Sequence, residues 1–210
     1  QKTFVPIEIA LHMGSVSYDT GSGGSAETPA DVNYSIQYFD GIIKQALNVT
    51  TPALQVASPV ALTSANIIAK LELAKNKMPK ALLSKADRYS RLKFMLSVED
   101  AQKYEEALTS TSFKNNDTTE AGINKYKGYT IEVLAGLPEN TFYFAEATTD
   151  VMSNIHMAVT SMDNLTFEVN RLQNNSSAWF YKAIAKMGVG ISKPQEFVIY
   201  TTKILADFDV

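Results

Sequence analysis

Two histidines, His12 and His156, are the only imidazoles in the 210 residues of this chain. Neither has a second histidine at metal-ligand spacing, and no HExxH is present. Both read as ordinary surface or partly buried side chains. A serine hydrolase needs a strand, a sharp Gly-x-Ser-x-Gly turn and a helix. Gly14-Ser15 and Gly21-Ser22-Gly23 lack that context and read as a flexible loop. Phosphate-cradling glycine loops are absent. Glu132, Glu146 and Asp150 could in principle share acid–base work. Nothing in their spacing pairs them, so solvated strand faces and caps account for them. There is no cysteine, hence no disulfide, thiolate site or cysteine nucleophile. The sequence therefore predicts no catalytic residue, no metal ligand and no cofactor.

Charge is distributed unevenly. Between Lys70 and Lys93 lie eight basic residues, among them Lys80, Lys85, Arg88 and Arg91, and only two acids, Glu72 and Asp87. From Glu99 to Glu120 acids dominate, with Glu105, Glu106 and Asp117 against Lys103 and Lys114. Two solvated helix faces explain this pattern. So does a head-to-tail contact in which the basic flank of one subunit meets the acidic flank of the next. Nucleic-acid contact is a third reading, weakened because no aromatic stacking pattern interleaves the basic residues. The interface candidates are Lys80, Lys85, Arg88, Arg91, Glu105, Glu106 and the polar loop with Asn115, Asn116 and Asp117. Trp179, Phe180 and Tyr181 are consecutive in an alternating run, so one face of that strand needs a cover. Six Asn-x-Ser/Thr triplets, beginning at Asn33, Asn48, Asn116, Asn164, Asn174 and Asn175, arise readily in a chain this rich in Asn, Ser and Thr.

The elements that would position these residues fall into two halves. The formal net charge is −3, which gives no global case for nucleic-acid or membrane binding. No run approaches the roughly 20 apolar residues of a membrane helix. Thr3 to Met13 predicts one or two short strands, and Gly14 to Pro29 a Gly/Ser/Thr-rich loop. Asp31 caps a predicted helix from Val32 to Leu47, with Val32, Ile36, Phe39, Ile43 and Ala46 on one stripe. Pro52 and Pro59 bracket an extended segment. Thr63 or Ser64 starts a second helix, with Ile67, Ile68, Leu71 and Ala74 inward, and Pro79 stops it. A shorter helical piece follows over Lys80 to Ser90. Lys93 to Leu96 is a strand, and Ser97 caps a helix to Thr109 with Glu99 and Asp100 in its first turn.

The second half alternates with period two, as antiparallel sheets with one wet face do. Tyr129, Ile131 and Val133 share a face, as do Phe142 and Phe144. Thr149-Asp150 could cap one or two helical turns between Thr148 and Met162. Leu165, Phe167 and Val169 alternate, and a long run follows from Trp179 to Val189. Gly188 and Gly190 permit a bulge at its end. Pro194 precedes a last strand, Phe197 to Tyr200. The fold class is α+β, with helices in the first half and mainly antiparallel strands in the second.

Several phrases carry a family likeness. Tyr38-Phe39-Asp40-Gly41-Ile42-Ile43 comes first. Phe94-Met95-Leu96-Ser97-Val98-Glu99-Asp100-Ala101-Gln102-Lys103-Tyr104 follows. Then come Tyr126-Lys127-Gly128-Tyr129-Thr130-Ile131, Gly136-Leu137-Pro138-Glu139-Asn140-Thr141, and Lys193-Pro194-Gln195-Glu196-Phe197-Val198-Ile199-Tyr200. In this order and spacing, over about 170 residues, they resemble the C-terminal two-thirds of a tailed-bacteriophage major capsid protein of the Hong Kong 97 type. The resemblance implies N-terminal strands and a Gly/Ser-rich loop over 1–30, and an axial-type domain over 31–162. It also implies a β-arm toward a peripheral-type domain over 163–190 and a returning C-terminal strand over 191–210. The chain begins at Gln1, which predicts a fragment or a processed product. In the family the part upstream holds an N-terminal arm, an extended loop and a long spine helix.

The function so implied is structural. The chain would self-associate into pentamers or hexamers of an icosahedral shell, with scaffold or portal proteins as further partners. Nucleic acid would be met only indirectly, as packaged genome. The location would be the virion capsid, after synthesis in the host cytoplasm. Two other classes stay open on the residues alone. One is a surface or appendage binding module that uses the glycine-rich and Asn-rich loops. The other is a carboxylate-dependent hydrolase, which requires Glu132, Glu146 or Asp150 to converge in a cleft.

Overall fold

A short apolar strand feeding directly into a capped helix forms the middle of the fold. In this computed structural model, which describes residues 4–15, 39–48, 50, 52–110, 125–159, 166–171, 179–184 and 187–208, that strand is β2 (Leu92–Ser97) and that helix is α6 (Val98–Ser110). Ser97 Oγ accepts the backbone N–H of Asp100 at 3.1 Å, as the sequence predicts. The helix carries the chain back across the sheet to β3 (Lys125–Tyr126) and β4 (Tyr129–Leu134). Such a strand–helix–strand crossover makes the outer strands parallel. β2 and β4 are parallel, with Phe94 opposite Ile131.

The six-stranded sheet is mixed: strands of the second half pair antiparallel with one another, as expected, and the two parallel pairs each take one strand from the first half. Its six strands run β1 (Leu54–Gln55), β10 (Phe197–Thr201), β5 (Thr141–Glu146), β2, β4, β3. β5 is antiparallel to both β2 and β10, and β1 is parallel to β10. Lys127 (φ 49°) and Gly128 (φ 90°) make the two-residue turn between β3 and β4. Positive φ at both positions matches the twist of a tight hairpin.

The sheet is covered on both faces. Phe94, Leu96, Phe142, Phe144, Val198 and Tyr200 enter one core with α3 (Ile67–Lys77), α4 (Lys80–Leu83) and α6. Met95, Tyr143, Ala145, Phe197 and Ile199 enter the other. There they meet α1 (Phe4–Met13), α2 (Ile42–Leu47) and the 3-10 turn Leu205–Phe208. Every residue of β5 and β10 is buried. One wet face is thus the wrong expectation for the central strands, because first-half helices cover both faces and the 3-10 turn Leu205–Phe208 adds to one of them. Phe142 and Phe144 do share a face. Val133 departs from Tyr129 and Ile131 and is 45% exposed.

The segment expected as strands over Thr3 to Met13 is the helix α1. Pro6 sits in its first turn, where a missing N–H costs nothing. Ile9, Ala10 and Met13 meet the second core at helical spacing. Burial wins over the β-branched composition here. His12, buried against the Tyr143 ring at 5.8 Å between centroids, has its pKa lowered to about 4, chiefly by burial and despite Glu8. The helix expected from Val32 to Leu47 is described only as Ile42–Leu47, with Asp40 and Gly41 outside it. A Cβ on Gly41 would lie 2.6 Å from the His12 carbonyl oxygen. That close approach, closed by the Gly41 N–H to the Gly14 carbonyl at 2.8 Å, replaces the helical turn.

The second helix begins at Ile67 with Asn66 before it. Asn66 Oδ1 accepts the Thr63 N–H at 2.9 Å, so the side chain organising this start is Asn66 and not Thr63 or Ser64. The helical piece over Lys80 to Ser90 is two short turns, α4 and α5 (Arg88–Arg91).

Four more strands form nested ladders. β6 (Ile155–Val159) pairs antiparallel with β9 (Met187–Ile191), and β7 (Thr166–Arg171) pairs antiparallel with β8 (Trp179–Ile184). The run from Trp179 to Val189 is thus two strands. Gly188 and Gly190 sit in regular register with Ala158 and His156, without the bulge expected of them. Thr148 to Ser153 forms a turn, not a helix. Asp150 Oδ1 accepts the Thr148 hydroxyl at 2.6 Å and the Met152 N–H at 2.9 Å, a local bonding pattern that competes with helix. The Gly/Ser-rich loop beyond Ser15, the cap Asp31 and the polar loop over 111–124 lie outside the described residues. So do the side chains of Trp179, Phe180 and Tyr181.

Candidate functional site

The basic flank is built on α3, α4 and α5, the acidic flank on α6. Ile67, Leu71, Ala74, Leu82, Ala101, Tyr104 and Ala107 all enter the same core, so both flanks cover the same face of the sheet. Apolar positions at spacings of three and four turn the intervening charged residues outward. Lys80, Lys85, Glu105 and Glu106 are exposed. Among the described residues none of these four has an ion-pair or hydrogen-bond partner for its side chain.

Arg88 and Arg91 behave differently. Arg88 lies over the Tyr89 ring, 4.4 Å from its centroid. It donates from Nη2 to the Tyr89 hydroxyl at 3.0 Å and from Nη1 to the Lys85 carbonyl at 3.1 Å. Arg91 donates from Nε to Glu146 Oε1. It also lies 3.5 Å from Asp150 and 3.6 Å from Asp87. The hydrogen bond to buried Glu146, aided by the two further acids, raises the pKa of Arg91. Arg91 is therefore a tie between the end of β5, the turn before β6 and α5. Both arginines, interface candidates in the sequence, are engaged within the chain. Sequence spacing could not show this, because Arg91 and Glu146 are 55 residues apart. Asn115, Asn116 and Asp117 lie outside the described residues.

Other charges are absorbed by the fold. Glu72 on α3 accepts from Lys75 at 2.8 Å, Lys127 at 2.7 Å and the Tyr126 hydroxyl at 2.8 Å. Desolvation alone would raise its pKa, but these hydrogen bonds hold it down to about 2. Asp100, fully buried, accepts from Lys103 at 3.0 Å and from the Thr141 N–H at 3.2 Å. Burial raises its pKa in spite of those donors. Lys103 also reaches Glu139 at 2.6 Å. None of these residues was singled out as a tie from the sequence. The i,i+3 pairs Glu72–Lys75 and Asp100–Lys103 are the signal that could have found them.

The ladder β6–β9 is fastened at its base. Asn154, buried, accepts the Lys193 N–H at 2.7 Å and donates to the Lys193 carbonyl at 2.9 Å. Gln45 donates to the Val189 carbonyl at 2.8 Å and so joins α2 to β9. Met157 in β6 and Val151–Met152 in the preceding turn are exposed apolar side chains.

The three carboxylates that a hydrolase would need do not meet in a cleft. Glu132 pairs with Lys93 at 2.6 Å. Glu146 and Asp150 meet only on Arg91. A cavity of about 420 Å³ is lined by Thr50, Pro52 and residues 192–196, and its one acid, Glu196, lies 3.4 Å from Lys193. A second, of about 220 Å³, lies beside Asp40, Lys44 and Gln45, with Asp40 and Lys44 3.2 Å apart. Among the described residues no three His, Asp or Glu side chains group so as to hold a metal ion. No helix of the described residues is long and apolar enough to cross a membrane.

A six-stranded mixed sheet between two helical layers, followed by nested β-ladders, has a solved counterpart. The fold is similar to that of a chain from a phage. A chain of Mycobacterium phage Che8 aligns with TM-score 0.54 and 16% identity, over 75% of this chain and 55% of that one. This chain therefore spans little more than half of that relative. A virus-like particle from Pyrococcus furiosus aligns with TM-score 0.41 and 12% identity, over 70% of this chain and 56% of that one, a likeness too slight to carry an argument. No protein-family model and no curated protein sequence matches the chain.

Proposed function

We propose that this chain is a shell-building structural protein of the phage capsid type, with a Hong Kong 97-type fold. The observation that carries the proposal is the fold shared with the Che8 phage chain over three-quarters of the length. The phrases that resemble the capsid family lie in the central sheet and its connections: β2 into α6, the tight turn between β3 and β4, and the 3-10 turn Pro194–Glu196 into β10. A sheet that buries both faces is a rigid block, and rigid blocks suit assemblies whose stability is summed over symmetric contacts. In this reading the sheet and its helices are the axial domain, the nested ladders form the arm toward a peripheral domain, and β10 is the returning strand. The work is self-association into pentamers or hexamers within a virion shell, with scaffold or portal proteins as further partners.

Sedimentation velocity and negative-stain microscopy of the purified chain over a wide concentration range test this. Rings, sheets or shells are expected. A chain that stays monomeric at every concentration and ionic strength overturns the assignment.

A further inference from the structure

Six exposed charges on one face of the molecule have no partner among the described residues. Lys77 ends α3, Lys80 opens α4 and Lys85 follows it. Glu99, Glu105 and Glu106 lie along α6. None of the six makes a side-chain hydrogen bond or ion pair with a described residue. The charges around them are consumed inside the subunit: Arg88 on Tyr89, Arg91 on Glu146, Lys75 and Lys127 on Glu72, Lys103 on Asp100 and Glu139. What the fold leaves exposed and unpaired on these helices is three cations on one flank and three anions on the other, Lys70 being half-buried over the Tyr200 ring. Each flank repels itself, and the two flanks are not paired with each other within one subunit.

We propose that these flanks are the two halves of one contact between copies of this chain. The Lys77–Lys80–Lys85 flank of one subunit sits against the Glu99–Glu105–Glu106 flank of the next. The occupant is a second copy because the same chain carries both signs in equal number on the same face. Opposed patches steer encounter, fix register and exclude like-charged approach. Exposed pairs of this kind weaken as salt screens them. The inference rests on the shell-subunit reading and deepens it. It keeps Lys80, Lys85, Glu105 and Glu106 from the sequence reading, adds Lys77 and Glu99, and leaves out Arg88 and Arg91, which are engaged within the chain.

The test uses the whole chain. Wild type, K80E/K85E and E105K/E106K, and an equimolar mixture of the two variants, are compared by sedimentation velocity. Ionic strengths of about 0.01 M and about 0.15 M give Debye lengths of ~30 Å and ~8 Å. Each variant alone is expected to weaken association at least about tenfold at the lower ionic strength, and the mixture to restore it. Matching circular-dichroism melts show that the folds are intact. Should either double reversal fail to fold, the neutral pairs K80Q/K85Q and E105Q/E106Q replace it, with a smaller loss expected and no rescue on mixing. Association in wild type that both variants retain overturns the flank pairing and leaves the shell reading standing. A wild type that never associates overturns both. If only the basic-flank variant is impaired, and it alone loses binding to duplex DNA, the lysines are a nucleic-acid contact and the proposal fails.

Discussion

The central strands and the nested ladders are both β-structure, yet they are held in opposite ways. β5 and β10 bury every side chain, and their stability comes from packing on both faces. Phe94 stacks on Phe144 at 4.1 Å and Phe142 on Tyr200 at 5.0 Å, each pair directly opposite in register. Cross-strand aromatic pairs of this kind add to the burial of the rings themselves. β9 is only half buried along its whole length, and there is open space around Gly188 and Gly190. A two-stranded ladder is marginal by itself. This one is held by Ile155, Val189 and Ile191, half-buried against the edge of the second core, and by polar ties at its base through Asn154, Gln45 and Arg91. The sheet is rigid because of what it excludes, and the ladder is placed by what it is tied to.

That contrast can be broken by experiment. The largest effect is expected at the sheet. Phe94→Ala removes a ring with no exposure and should cost about 3–5 kcal/mol in urea denaturation; a loss below about 1 kcal/mol would show that the two-sided core is not the main support. Next comes the base of the ladder. Asn154→Ala removes two hydrogen bonds to Lys193, leaving its N–H without this partner while its carbonyl keeps the Glu196 N–H, and should cost about 1 kcal/mol. Hydrogen exchange should quicken over Ile155–Val159 and Met187–Ile191 while β5 stays protected. Uniform loosening of both regions would end the distinction between them.

A smaller, pH-dependent effect is expected where α3 is tied to the β3–β4 turn. Glu72 has a folded pKa of about 2 against an ordinary 4.5. Its contribution is therefore complete above pH 4.5 and is lost as pH falls toward 2. Thermal melts across that window should show a shallower fall for Glu72→Gln than for wild type; parallel curves would remove Glu72 from the set of ties. Smallest of all, K80E/K85E should change thermal stability by less than about 0.5 kcal/mol, since neither lysine side chain has a charged or hydrogen-bonding partner among the described residues. A large loss there would place these lysines in the fold and not at its surface.

Local signals were legible where neighbours in sequence are also neighbours in space. Ser97 before Val98-Glu99-Asp100 foretold its cap, Pro79 ended a helix, and Phe142 and Phe144 shared a face. Thr3 to Met13 failed because eleven residues of mixed propensity take whichever state their neighbours bury, and here α1 packs against α2 and β5. The engagement of Arg91 was hidden for a related reason. Its acids come from Asp87, Glu146 and Asp150, and only the fold brings the last two to it. The candidate surface was legible as a segregation of charge but not as a set of residues, since spacing does not reveal which charges are already spent.

By itself, then, the chain determined its periodicities, its helix ends, an uneven charge pattern and the lack of a spaced catalytic motif, all of which act over a few residues. Tertiary structure alone decided that β2 and β4 run parallel, that the central strands have no wet face, and that Arg88 and Arg91 are engaged within the chain. These outcomes depend on which distant surfaces are brought together, and burial and charge pairing act between those surfaces without regard to their separation along the chain.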